Sequence, residues 1–289
     1  MAEARQRSLK KAEILASAIR CVYCDHVGTY ELEHMPPRGM FANKDRPSGW
    51  EFACCERCNK GTRGADALAI FMAQTEAITE DNWKLPNIIK LRGAIASHAP
   101  GVLDELFGMS KWDDSFINHN GILRSIKVGR ANGPLTTNYL NIFSAKAAMA
   151  AFMHFTKRPM EFDGLIYTEW FLNGGMSEDT YKHIISIMPN HTQLSQGQKK
   201  SGKQFHVRYN TNNTNIVAAI MSFHNSLFVT VIATDGSEFI EPLGEVFKKI
   251  PRDSRPTINL TRPGLSELDR LASTPAHSPQ SMKSYIRIA

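Results

Sequence analysis

Two Cys-x2-Cys pairs, Cys21/Cys24 and Cys55/Cys58, stand 30 residues apart in a chain of 289. Each pair presents two sulfurs on one turn. The pairs can therefore converge into a tetrahedral four-thiolate site for Zn²⁺, at about 2.3 Å per bond and with no open coordination position. A unit of about 45 residues buries too little apolar surface to be stable alone. Structural zinc supplies on the order of 10 kcal/mol or more, so the expected role of this metal is to hold a small fold together. Cys54 is the fifth cysteine. It rivals Cys55 by adjacency, but the Cys-x2-Cys spacing favours Cys55 and leaves Cys54 as a small buried hydrophobe. The paired cysteines, and an N-terminus that mixes charged and apolar residues without an uninterrupted apolar stretch, predict a reducing, cytoplasmic compartment rather than export and disulfides.

The pattern around the cysteines sets the local order. Leu9, Ala12, Ile14, Leu15, Ala18 and Ile19 recur at helical spacing, so residues 1–20 are expected to hold an amphipathic helix. Residues 29–34 suit a short strand, stopped by Met35-Pro36-Pro37 because proline cannot extend a ladder. Turn-forming residues fill the interval to Trp50, residues 50–54 suit a second strand, and Ala65, Leu68, Ala69, Phe71, Met72 and Ile78 mark the buried face of a following helix. The expected order across 21–80 is strand, loop, strand, helix, with a cysteine pair at each of two turns.

Beyond residue 80 the pattern predicts helix over 88–107, broken at Pro100-Gly101, and helix over 140–156. Strands are expected at 165–172, 183–188, 204–209, 215–223 and 227–234. The predicted fold class is α+β: a zinc-stabilised unit at 21–80, a mixed helix and antiparallel-strand region at 81–250 of unassigned role, and an extended, partly disordered tail at 251–289. Hydrophobic residues make up 42% of the chain, enough for a proper core. The longest apolar runs fall far short of the roughly 20 residues a spanning helix needs, so no membrane span is expected.

Three residues inside the cysteine frame carry chemistry. His34 lies at the end of the first predicted strand, and a neutral imidazole with an ordinary pKa of about 6.5 suits a general base near neutral pH. Glu33 and Asn59 offer a carboxylate and an amide carbonyl, a pair able to hold Mg²⁺ or Mn²⁺ while waters and phosphate oxygens complete the shell. Glu31 rivals Glu33 because it shares the same strand face, and Asn59 also suits a helix N-cap.

Taken together, Cys21-x2-Cys24, Glu33-His34, Cys55-x2-Cys58 and Asn59 resemble the HNH (His-Me finger, ββα-metal) endonucleases, most closely the zinc-containing branch typified by phage recombination endonuclease VII. The resemblance spans residues 21–75. It implies a phosphodiester hydrolase in which His34 activates water, a catalytic Mg²⁺ or Mn²⁺ sits on Glu33 and Asn59, and the products carry a 5′ phosphate and a 3′ hydroxyl. It departs from the family at three places. Glu33 stands where the family often has aspartate, so its carboxylate sits one methylene further out. The central asparagine position has no clear counterpart, Asn43 being the nearest candidate, and the last position has no histidine, Asp66 being the nearest acidic substitute.

The formal charge of +6 permits a polyanionic partner without requiring one. For DNA, Arg38, Lys44, Arg46, Arg57, Lys60 and Arg63 are the expected backbone contacts within the unit. Lys199, Lys200 and Lys203, expected in a mobile basic loop, are further candidates. Phage defence, restriction and recombination are the settings such an enzyme suits. One site of this kind nicks one strand, so a double-strand break would require a homodimer. The alternative from another class is a zinc-knuckle module that binds nucleic acid or protein without catalysis.

Overall fold

A strand pair built around residues 21–58 opens the described part of the fold after one helix. The computed structural model describes residues 2–42, 46–74, 77–78, 84–108, 112–119, 122–161, 164–172, 182, 195–202, 204–224, 226–240, 242–243, 259–260 and 285–288. Helix α1 (Ala2–Ala16) precedes β1 (Glu31–His34) and β2 (Glu51–Cys54), which pair antiparallel with His34 opposite Glu51 and Glu31 opposite Cys54. Between them, after a cis Met35–Pro36 bond, a 3₁₀ turn (Arg38–Met40) carries the loop. Two helices follow, α2 (Glu56–Gly61) and α3 (Arg63–Gln74), so the expected strand, loop, strand, helix order is present.

Helix α3 packs against α4 (Pro86–His98) at Gly64, where an added Cβ would lie 2.2 Å from the His98 carbonyl oxygen. Only glycine allows that approach of helix to backbone. The break expected at Pro100-Gly101 separates α4 from α5 (Val102–Phe107), and Gly101 sits there at φ 82.

The centre of the molecule is α6 (Pro134–Thr156). It begins six residues before the expected boundary of 140, because Pro134 stands in its first turn and the Glu105 carboxylate of α5 accepts from Leu135 N (2.9 Å) and Thr136 N (2.6 Å). A carboxylate from elsewhere in the chain thus caps this helix, and no residue of its own does. Its run of alanines is buried on almost every side, as a helix enclosed by other elements must be.

One side of α6 lies on an antiparallel sheet ordered β11-β6-β10-β9-β8-β7. Its strands are β6 (Leu165–Leu172), β7 (Ser195–Ser201), β8 (Phe205–Thr211), β9 (Ile216–Phe223), β10 (Leu227–Thr234) and β11 (Asn259–Leu260). Ile166, Val229, Val231, Ala219 and Met221 face the helix, and Trp170 donates its indole N–H to Asn141 on α6 at 3.0 Å. A second sheet, ordered β3-β12-β5-β4, joins β3 (Ala77–Ile78), β4 (Trp112–His119), β5 (Ile122–Arg130) and β12 (Tyr285–Ile288). The fold is therefore mixed α+β with predominantly antiparallel sheets.

Three expectations change. The basic segment around Lys199 and Lys200 is not a loop but strand β7, paired along its length with β8. The β4–β5 hairpin was not anticipated. The expected tail contributes β12, an inner strand between β3 and β5. The strand expected at 183–188 and most of the tail lie outside the described residues. Among the described residues no helix is long and apolar enough to cross a membrane. One hydrophobic cluster runs from Cys21 through α3 and α6 to the six-stranded sheet, so the packing does not divide at residue 80.

Candidate active site and metal centre

The cysteines set the geometry first. The ligating sulfurs of Cys21, Cys24, Cys55 and Cys58 all lie within 4.8 Å of one another, and all four residues are buried. A tetrahedron with bonds of about 2.3 Å has edges of about 3.8 Å, and the Cys24 and Cys55 sulfurs stand 3.6 Å apart. The four can therefore hold a zinc ion. Backbone amides already point at the sulfurs: Tyr23 N and Cys55 N donate to Cys21 Sγ (3.4 and 3.3 Å), and Cys58 N donates to Cys55 Sγ (3.4 Å). Donors of this kind favour thiolate over thiol.

Hydrogen bonding with Cys24, Cys54 and Cys58 holds the Cys21 thiol far below its ordinary range, while hydrogen bonding with Cys21 pushes Cys24 and Cys58 up. A dication would stabilise all four as thiolates. Cys54 is outside the set of four. Its sulfur lies 3.9 Å from that of Cys21 and donates to the Cys55 carbonyl at 3.4 Å.

The sulfur of Cys55 caps the start of α2 by accepting from Cys58 N, so the second cysteine pair opens a helix and Asn59 sits within it. Asn59 is thus no N-cap, and its side-chain amide donates to the carboxylate of Glu31. The same-face rival of Glu33 is the residue that Asn59 meets.

Consecutive strand residues point to opposite faces, and Glu33 and His34 do so with different consequences. Glu33, 5% exposed, turns inward, where the Lys146 ammonium of α6 lies 3.0 Å from Oε1 and the Tyr23 hydroxyl donates to the same oxygen at 3.4 Å. Lys146, fully buried, also donates to both oxygens of Asp66 on α3 at 2.8 Å. It lies over the Tyr23 ring as well, 5.5 Å from its centroid. Burial opposes the charge on Lys146, but Asp66 and Glu33 outweigh it and hold its pKa above the ordinary value. Burial, reinforced by the Glu33 charge and opposed by Lys146, pushes Asp66 up to about 6.

His34 turns toward the loop. Its Nε2 accepts from Arg38 Nε (3.0 Å) and faces Nη2 of the same guanidinium at 2.9 Å, which requires an unprotonated Nε2. Burial, then the charges of Arg46 and Arg38, lower its pKa to about 4. The imidazole is neutral at physiological pH. Glu51, opposite His34 in the hairpin, accepts from Gly49 N and ion-pairs with Lys10 and Arg46.

The structure thus distributes the expected site residues over three places. His34 with Arg38 forms one, Glu33 with Lys146 and Asp66 a second, and Asn59 with Glu31 a third. Glu33 and Asn59, the expected ligands of a catalytic divalent ion, are each engaged by a different protein group. Lys146 was missed because a lysine in an alanine-rich helix carries no local signal of burial.

Of the basic candidates, Arg57, Lys60 and Arg63 are exposed on α2 and the first turn of α3, with Lys60 paired to Glu56. Arg38 and Arg46 lie around His34, and Asn43, Lys44 and Lys203 lie outside the described residues. The turn after β7 is nevertheless beside the loop: Gln204 Oε1 accepts from Ala42 N at 2.6 Å, and His224 meets the Met40 carbonyl at 2.6 Å. This places the backbone carrying Lys199 and Lys200 near the loop that follows His34. No protein-family profile, curated protein or solved structure is significantly similar to this chain.

Proposed function

We propose that the chain is an HNH-type endonuclease, a phosphodiester hydrolase acting on DNA, with a structural zinc at Cys21, Cys24, Cys55 and Cys58 and His34 as general base. The observation that carries this is a neutral, buried imidazole at the end of β1, with an exposed arginine on its acceptor nitrogen, in a hairpin-and-helix unit closed by four thiols. A phosphate entering the loop draws Arg38 into a charge-assisted contact. That releases Nε2, and the phosphate charge raises the basicity of the ring. Nε2 takes a proton from water, the water oxygen bonds to phosphorus, and the bond to the 3′ oxygen breaks, with that oxygen protonated from solvent. Arg38 offsets the charge that builds on the phosphoryl oxygens. Exposed Arg57, Lys60 and Arg63, and the basic β7–β8 hairpin beside the loop, supply backbone contacts without base readout.

One observation favours the second possibility, a zinc module that binds nucleic acid without cutting it: Glu33 and Asn59 are committed to Lys146 and Glu31. Plasmid nicking separates the two. Supercoiled DNA with purified zinc-loaded protein and Mg²⁺ or Mn²⁺ should be nicked by the native chain and not by His34→Ala. DNA retention without His34-dependent nicking under any divalent metal would refute the nuclease.

A further inference from the structure

The residue that takes Glu33 away from a metal is itself a cation. We propose that the Lys146 ammonium is the resident cation of the hairpin-and-helix unit, standing in for a divalent ion between Glu33 and Asp66 and so positioning β1 and His34 against α3. The importance of this for hydrolysis rests on the proposed function, but its geometry does not.

An ammonium has three N–H groups, and Lys146 spends them on Glu33 Oε1 and the two oxygens of Asp66. The two carboxylates belong to β1 and α3, the elements that a metal ion shared by them would bridge. Magnesium needs its oxygens at about 2.0–2.1 Å in a near-octahedral shell with several waters retained. Here the ammonium nitrogen already stands 3.0 Å from Glu33 and Lys146 has no exposed surface. A dication could enter only by expelling the ammonium or by accepting its repulsion at short range. The ammonium is also covalently part of α6, whose start is pinned by Glu105 and whose side is docked on the six-stranded sheet. A chelator cannot remove such a cation. Lys146 touches no reacting atom, so it is a positioning residue, and it makes the unit depend on a helix far along the chain.

The test needs no DNA. Zinc-loaded full-length protein is titrated with Mn²⁺ while free Mn²⁺ is followed by electron paramagnetic resonance. Native chain, Glu33→Gln and Lys146→Arg should give one and the same isotherm. Lys146→Ala should gain one Mn²⁺ site, lost again in Lys146→Ala/Glu33→Gln. A tenfold or greater weakening of Mn²⁺ binding by Glu33→Gln alone would overturn the proposal, as would a folded Lys146→Ala that gains no site. Zinc content and circular dichroism report whether Lys146→Ala folds. If it does not, the comparison of native chain with Glu33→Gln decides alone. Failure of the nuclease would show in plasmid nicking and leave these isotherms unchanged.

Discussion

Replacing Lys146 with Met tests the electrostatic core of this fold. Methionine approximates the volume of lysine, so the cavity contribution is small and the change is chiefly the loss of one positive charge. Left behind are the Glu33 and Asp66 carboxylates, whose side chains are 7% and 18% exposed. Removing one member of a buried ion pair costs roughly 3–5 kcal/mol because the remaining charge is unsolvated. With two carboxylates orphaned, one of them slightly wetter, the loss at pH 8.5 should be about 4 kcal/mol, a large part of a normal domain's stability.

The pH dependence gives the sharper check. Asp66 is pushed up to about 6 even with the ammonium present, and losing the ammonium raises it further. A carboxylate whose folded pKa exceeds its unfolded value near 4 destabilises the fold when ionised. The penalty shrinks as pH falls through the folded value. Urea denaturation of zinc-loaded protein at pH 8.5 and pH 6, with mutant and native chain compared at each pH so that the clasp's own proton release cancels, should show the deficit falling to about half at pH 6. A loss below about 1 kcal/mol at pH 8.5, or a loss equal at both pH values, would refute the reasoning.

Two other outcomes follow from the site. With the His34 pKa lowered to about 4 by burial and by Arg46 and Arg38, the acid limb of kcat/KM for nicking should fall near pH 4, since the base must be unprotonated. The limb of kcat should lie higher once phosphate has drawn Arg38 away, and a kcat/KM limb at pH 6–7 would contradict the burial of His34. Chelation of zinc, or Cys58→Ser, should strongly lower the melting temperature of the chain, because structural zinc contributes on the order of 10 kcal/mol or more. Metal analysis of the native chain should give one zinc, and an unchanged melt after complete chelation would refute the structural role.

Local spacing made much of this architecture legible. A cysteine pair occupies one turn whatever surrounds it, so the clasp residues could be named from positions 21, 24, 55 and 58, and all four sulfurs converge. Runs of β-branched, aromatic and aliphatic residues marked β6 and β10 to the residue. The β4–β5 hairpin went unread because Trp112–His119 mixes polar and apolar residues without a clean alternation. The basic strand β7 resembled a loop because Gly197 and the six polar or charged residues around it carry little strand propensity, and its pairing with β8 overrides that.

By itself, then, the sequence determined what short-range covalent spacing and side-chain periodicity can encode: the clasp, the hairpin around His34, and most of the helices and strands of the described fold. Which partner each charge meets was decided only by tertiary structure. Glu33 and Asn59 are both joined to the cysteine frame, yet the docking of α6 brings Lys146, 80 residues from Asp66, onto Glu33, while Asn59 turns to Glu31. A charge excluded from water must find its counter-charge in space, and no local pattern records how a distant helix will pack.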